Sequence, residues 1–404
     1  MGTASDFFNT LLVVSRAGLP RPAPEFTSRV EAMWTYGAFV ADGTGCLPRN
    51  VDSDRCGRGY SEAAAAYFAR PDWTYAVTNG ASGSRPTVGP SVVFPWAGQA
   101  VFRSGWEKNA TWIWFDIGPY GTSGHAHHDK LSLMLHARGA MLLVDSGRFA
   151  YQGTDLSATL HSQYASTTHA HNTITIDGLD QQPLPAKATA PVPAESWTTG
   201  ATVDTAYGSM SLYNGLLGNA THFRAVHYAH PPAGSVDGDW IAVIDIVRGD
   251  RQRALQATWH LHPNSTVSID TSTGTAAVGG VTGESGEPAS AQVCVVMAAG
   301  AAAAHWDVGS PHIVQGQYQN ATTHTAWQGW YSNSYDDAWA APTLVYDATA
   351  AASDVVFGWL LVPTSTRGPC DASIEVVSVT ANSATVKVTL GNAAPVTVDI
   401  KFSA

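Results

Sequence analysis

The chain has 404 residues, enough for two or three domains and a sizeable core at roughly 100–200 residues per domain. Hydrophobic residues make up 45% and charged residues 13%, which excludes wholesale disorder and leaves a polar surface of mainly Ser, Thr, Asn, Gly and His. Lys and Arg number 21 against 32 Asp and Glu, a net charge of −11 with no basic block above two residues, which argues against a nucleic-acid partner.

No run approaches the roughly 18 apolar residues of a membrane span. Residues 1–20 lack a signal peptide, because the apolar piece Leu11–Val14 is too short. Residues 1–85 read as mostly helical. Ser28 to Val40 has helical apolar spacing, and Ser61–Ala69 is strong helix former throughout. A Gly/Asp/Pro loop, ADGTGCLPRNVDSDRCGRG, lies between them. Two or three helices cannot bury both their faces, so they are expected to close a larger helical domain that begins upstream.

From about residue 90 short alternating apolar runs recur. They include SVVFPW, AVFRSGW, TWIWFDI, LSLMLH, AMLLVDSG, NTITIDG, WIAVIDIV, ATWHLH, AQVCVVMAA and VVFGWLLVP, with turns between them. That texture predicts antiparallel sheets packed as a sandwich over 86–365. Ala298–Ala304 reads as a loop. Residues 366–404 hold only short strands without His or Trp and read as a small structural β unit. Four sequons, at Asn109, Asn219, Asn264 and Asn320, lean toward a secreted or periplasmic glycoprotein. Of three possible cysteine pairings, Cys46–Cys56 with Cys294–Cys370 is the obvious one; four buried thiols are the alternative.

The histidines concentrate in Gly124-His125-Ala126-His127-His128-Asp129 and in Thr168-His169-Ala170-His171-Asn172. On a strand, His125, His127 and Asp129 would share one face. Asp145, on the next strand of an expected hairpin, can face the same patch, and His171 would open a third strand. Two imidazoles and a carboxylate from three strands suit Zn²⁺ with an open fourth position. A metal-free polar network is the alternative. His128 should face away, and His260 and His262 should hydrogen-bond within the sandwich. The cluster Trp327-Gln328-Gly329-Trp330-Tyr331 is either core and loop packing or the wall of a saccharide cleft.

In sequence order, GHAHHDKLSLMLHARGAMLLVDSGRFAY and STTHAHNTITIDGLDQ resemble the core of heparinase II/III-type polysaccharide lyases, a group that includes heparin lyases and oligo-alginate lyases. FPWAGQAVFRSGW and the loop ADGTGCLPRNVDSD are similar to further segments of that family. The resemblance implies the end of an (α/α) toroid followed by an antiparallel β-sandwich. It implies zinc on His127, Asp145 and His171, in a supporting role, and His125 as the catalytic histidine of the sandwich side. Arg103 matches the family's arginine and is expected at the catalytic site. Asn172 and Gln181 match its polar positions and are expected to bind substrate. Tyr164 or Tyr151 is expected to reach the cleft, Tyr164 with the catalytic set and Tyr151 with the substrate contacts. Two departures stand out. The family's toroid tyrosine lies well before the ADGTGCLP loop, which only about 40 residues precede here, so it is expected outside this chain. The arginine of the family's R-S-T motif is missing from Tyr164-Ala165-Ser166-Thr167-Thr168.

The implied reaction is β-elimination on a uronic-acid polysaccharide: a base removes the C5 proton, an acid serves O4, and the carboxylate is neutralised. Imidazole chemistry suits His125 to proton transfer or neutralisation. A metal-dependent hydrolase and a non-catalytic carbohydrate-binding protein are the rival readings. Few basic residues favour a carboxylate-only polymer such as alginate over a highly sulfated one.

Overall fold

A computed structural model describes residues 2–54, 59–118, 125–182, 188–281, 291–298, 306–308, 311–320, 322, 326–350 and 354–402. Gly124, Cys56 and residues 299–304 of the Ala-rich stretch lie outside them.

Helices come first: α1 (Gly2–Arg16), α2 (Pro24–Val40), α3 (Glu62–Tyr67) and α4 (Pro71–Val77). Their ends follow local chemistry. Pro24 and Pro71 sit in first turns, where a missing N–H costs nothing. Ser61 caps α3 by accepting from the Ala64 N–H. Phe8, Trp34, Phe39, Trp73 and Trp106 form the helical core.

Everything that follows is dominated by antiparallel sheet. A five-stranded sheet runs in the order Val92–Phe94, Gln99–Arg103, Trp112–Asp116, Leu133–Ala137, Ala140–Leu143. A third sheet contains Thr343–Ala350, Arg253–His260 and Ile174–Ile176, and a Leu143–Leu261 bridge joins it to the first. Together these face an eight-stranded large sheet, ordered Thr266–Asp270, Thr275–Gly279, Gln292–Met297, Val355–Thr364, Trp240–Gly249, Ala220–Ala229, Val203–Met210, Trp197–Thr198. Phe102, Phe115, Leu133, Leu135, Trp259, Tyr346, Val243 and Trp359 meet in the shared core, which makes this a sandwich. Alternation sends Ala242, Ile244 and Ile246 to the outer face of the large sheet, where Ile374, Val376, Val386 and Ile400 of a three-stranded C-terminal sheet cover them. The outer face of the five-stranded sheet carries Trp112, Trp114 and Met134 against Val40, and the Trp112 Nε1–H donates to the Val40 carbonyl at 3.2 Å.

The fold is therefore mainly β behind a helical N-terminal part, as the periodicity predicts. Three long strands have no counterpart among the predicted runs: Val203–Met210, Ala220–Ala229 and Thr343–Ala350. The histidine motif departs in the opposite sense. Residues 125–132 form turns, and the strand begins only at Leu133. Cys294 and Cys370 form a disulfide, and Cys46 is also disulfide-bonded. No helix among the described residues is long and apolar enough to cross a membrane.

Candidate functional site

The site forms where four connections meet at one end of the sandwich. Asp52 comes from the loop after α2. His125 and His127 come from the turn before Leu133. Asp145 follows the strand Ala140–Leu143 by two residues, and His171 precedes Ile174–Ile176. Connections place all five residues, so strand alternation does not explain their meeting.

Asp52 holds two histidines at once. Its Oδ2 is 2.6 Å from His125 Nδ1, and its Oδ1 is 3.0 Å from His127 Nε2. The Tyr151 hydroxyl donates to Asp52 Oδ2 at 3.2 Å and stands 3.4 Å from His125 Nδ1. Burial works to raise the Asp52 carboxyl, but hydrogen bonds from His127 and His125 outweigh it and hold the group down to about 2. The His125 side chain is 59% exposed, against 2% for His127. His125 thus presents its free edge outward from an anchored ring.

Behind this pair lies a second carboxylate–imidazole contact. Asp145 Oδ2 is 2.6 Å from His171 Nδ1, while its Oδ1 accepts the Gly147 N–H at 3.1 Å. That turn needs Gly147, whose φ is +84° and where an added Cβ would fall 2.8 Å from the Ser332 carbonyl oxygen. Burial raises Asp145, yet the His171 charge and hydrogen bond bring it below the usual carboxylate range. The His127 and His171 rings lie 5.2 Å apart. His127 Nδ1 and His171 Nε2 are buried without a hydrogen-bond partner. With Asp145 they offer three ligand atoms within 4.8 Å of one another. Orphaned buried ring nitrogens facing a carboxylate fit a His/Asp/His zinc centre.

The remaining expected site residues occupy other positions. Asn172 is fully buried; its Nδ2 donates to the Leu133 and Val144 carbonyls at 2.7 and 2.8 Å, and its Oδ1 accepts from the His260 N–H at 2.6 Å. Gln181, equally buried, brackets Lys130, accepting its N–H at 2.9 Å and donating to its carbonyl at 3.0 Å. Both amides have their hydrogen-bonding groups consumed by backbone, so they join chain segments rather than face a substrate. Arg103 is 3% exposed and donates to the carbonyls of Phe39 (2.8 Å) and Ala41, clamping the end of α2 to the five-stranded sheet. Burial pushes its guanidinium down to about 9. That is a docking role, with its hydrogen bonds made to backbone carbonyls.

Tyr164 is 1% exposed, with its hydroxyl 3.2 Å from His260 Nε2, and burial raises the phenol. Tyr151, 41% exposed, is the tyrosine that the structure brings to His125. Ala165, where the family motif has its arginine, is buried with Phe149, Leu160 and Trp330 in an apolar cluster. His260 is bonded to Asn172 and Tyr164, and burial lowers it to about 3, so it is a neutral member of the interior. Asp129 is not among the three grouped ligands.

Two contributors have no singled-out place in the sequence reading. Asp52 is one of several acidic residues in a polar loop, and only the loop's family likeness marks it. Arg148 donates to Asp54 at 2.8 and 2.6 Å and lies 4.9 Å from the ring centres of both Tyr151 and Tyr335, which walls one side of the His125 edge.

Comparison with known proteins agrees with the motif likeness. A family model described as "Heparinase II/III-like, C-terminal" matches residues 86–354. A heparin-sulfate lyase of Pedobacter heparinus is 29% identical over 211 residues, covering 52% of this chain and 29% of that protein. The crystal structure of a mutant heparan sulfate lyase HepC from Pedobacter heparinus superposes with a TM-score of 0.78 at 20% identity, covering 100% of this chain and 57% of that one. A heparinase III structure gives 0.71 at 16% identity, covering 99% of this chain and 58% of the other. The chain thus spans less than a third of the curated relative and somewhat over half of these solved structures.

Proposed function

The chain belongs to the heparinase II/III-like family, whose C-terminal domain it carries over residues 86–354, and from that membership we propose that it serves in a polysaccharide lyase cleaving uronic-acid glycans by β-elimination. The observation that carries the reading is His125, exposed at one edge and anchored at the other by Asp52 at 2.6 Å.

The reaction takes a proton from C5, next to the uronate carboxylate, and expels the sugar linked through O4. Its barrier comes from a weakly acidic proton and from charge that accumulates as the proton leaves. A carboxylate at Nδ1 fixes the tautomer with the proton on that nitrogen, which leaves the Nε2 lone pair outward to accept or relay a proton. Tyr151, 41% exposed and with its hydroxyl 3.4 Å from His125 Nδ1, would touch sugar beside His125. The second proton function is assigned to a toroid residue of the complete protein, following the family likeness.

His127, Asp145 and His171 would hold zinc, and the ion would supply a fixed charge tying three connections together. His127 also shares Asp52 with His125, so the centre would steady the catalytic ring. The relatives' names point to glycosaminoglycans, and the shortage of basic residues points to a carboxylate-only polymer such as alginate; uronic acid is common to both. A secretory setting is supported by the exposure of Asn109, Asn219, Asn264 and Asn320 and by the absence of free cysteines among the described residues.

Ultraviolet absorbance of the unsaturated product tests the proposal. This chain and the complete gene product would each be assayed on heparan sulfate, hyaluronan, alginate and polygalacturonate, with His125→Ala in parallel. Elimination by the complete product, reduced at least about a hundredfold in His125→Ala with folding intact, is expected. Folded, zinc-loaded protein without elimination on any polymer would favour a carbohydrate-binding role. Hydrolysis without the ultraviolet signal, abolished by chelator, would favour the metal-dependent hydrolase.

A further inference from the structure

One heavily bonded charge in the sandwich core lies outside the histidine cluster. Arg224 and Asp245 stand directly opposite each other on adjacent strands of the large sheet. Their parity is that of Val226, Tyr228, Val243 and Val247, so both point into the apolar interior. Arg224 donates through Nε and Nη2 to the two carboxylate oxygens at 2.7 and 3.0 Å. His222 Nε2 at 2.6 Å and the Trp359 Nε1–H at 2.9 Å complete the shell of Asp245. An ion pair at such depth is weak evidence for stability, because desolvation offsets most of the attraction. Something else must account for it.

The third guanidinium nitrogen supplies an answer. Arg224 Nη1 crosses the core and donates to two carbonyls of the opposite layer, Leu131 at 2.7 Å and Asn172. Leu131 ends the turn that bears His125 and His127, and Asn172 follows His171. Leu131 also adopts φ +67°, a conformation uncommon outside glycine and asparagine. Its carbonyl direction is therefore held by partners rather than by local preference. A planar guanidinium can bond a carboxylate on one edge and carbonyls on another; an ammonium lacks that fixed fork.

We infer that Arg224 is a positioning residue, which, braced by Asp245, sets the spacing between the His125–His127 turn and the His171 segment from the far sheet of the sandwich. The kinetic part of this inference rests on the lyase reading; the structural part does not.

The test compares Arg224→Lys with Trp359→Phe. The lysine keeps a positive charge beside Asp245 but cannot reproduce both carbonyl bonds. The phenylalanine removes a donor from the same carboxylate and leaves those bonds intact. Hydrogen exchange is read on peptides covering 125–133 and 168–173. Expected is exchange about tenfold faster in both peptides for Arg224→Lys only, with kcat on the best polymer down about tenfold and KM nearly unchanged. Equal exchange in the two variants would overturn the inference. Absence of elimination in the unmodified complete protein would count against the lyase reading, and the exchange result would still decide the role of Arg224. If Arg224→Lys does not fold, native-state exchange of the unmodified chain in rising denaturant replaces it. Joint opening of 125–133, 168–173 and 220–229 supports the brace; separate opening overturns it.

Discussion

Asp52 and Asn172 show how differently two polar residues act at one site. Asp52 lies beside the exposed His125 and holds two rings through its two carboxylate oxygens. Asn172 lies beneath it, and its side chain makes four hydrogen bonds to three chain segments. Replacing Asn172 with Ala leaves the Leu133 and Val144 carbonyls and the His260 N–H buried without that partner. At about 1–3 kcal/mol for each buried group left unsatisfied, the variant should lose roughly 3 kcal/mol or more of unfolding free energy. A residue that bound substrate would instead raise KM at nearly constant stability. Urea unfolding with parallel kinetics separates the two, and a raised KM at unchanged stability would return Asn172 to the cleft. Sequence pattern alone could not make this distinction. The motif marks Asn172, Gln181 and Arg103 as important, but a hydrogen bond to a carbonyl far along the chain leaves no local signature. The histidines are legible because they are dense, whereas Asp52 has only its loop to mark it.

Val355–Thr364, apolar along its whole inner face, is legible in the sequence, and so is Trp240–Gly249, where the single inward charge Asp245 stands among Ile241, Val243 and Val247. Ala220–Ala229 is not, because His222, Arg224 and His227 interrupt its apolar pattern. Arg224, the proposed brace, therefore helps to hide its own strand. His227 carries a separate consequence. It lies on the outward face of that strand, 7% exposed, stacked on Trp240 at 5.3 Å with an interplanar angle of 18°. Burial lowers its imidazole to about 4 from 6.5. In this window the unfolded chain binds the proton more readily than the folded one. The folded state is therefore favoured above pH 6.5, and that advantage is lost as pH falls from 6.5 toward 4, by up to about 3 kcal/mol. His227→Phe keeps an aromatic ring on Trp240 and removes the proton. Its stability should fall less than the parent's between about pH 7 and 4.5 in urea unfolding. Parallel curves for the two proteins would mean that His227 is not the group responsible.

At the scale of the molecule the candidate site and the C-terminal sheet lie in different layers. The candidate site belongs to the loop after α2 and to the connections of the five-stranded and third sheets, while the C-terminal sheet lies on the outer face of the large sheet, beyond the sandwich core. The Cys294–Cys370 disulfide fastens the chain just before the C-terminal sheet to an inner strand of the large sheet, across a sequence separation of 76. Closing a loop of that length restricts the unfolded chain by about 4 kcal/mol in the chain-entropy picture. The double variant Cys294→Ala, Cys370→Ala should therefore unfold at a lower temperature, with the C-terminal sheet exchanging amide hydrogens first. On the lyase reading, elimination by the complete product, per folded molecule, should be unchanged well below that temperature, because the disulfide does not touch His125, Asp52 or the His127–Asp145–His171 group. The Arg224 brace makes this a demanding expectation, since it connects the large sheet to the site. If kcat drops while the protein remains folded, strain at the C-terminal sheet passes through the large sheet to the histidine turn, and the two faces of that sheet are mechanically coupled. If kcat holds and only the melting temperature falls, the outer layer is reinforcement, and the inner face alone positions the chemistry.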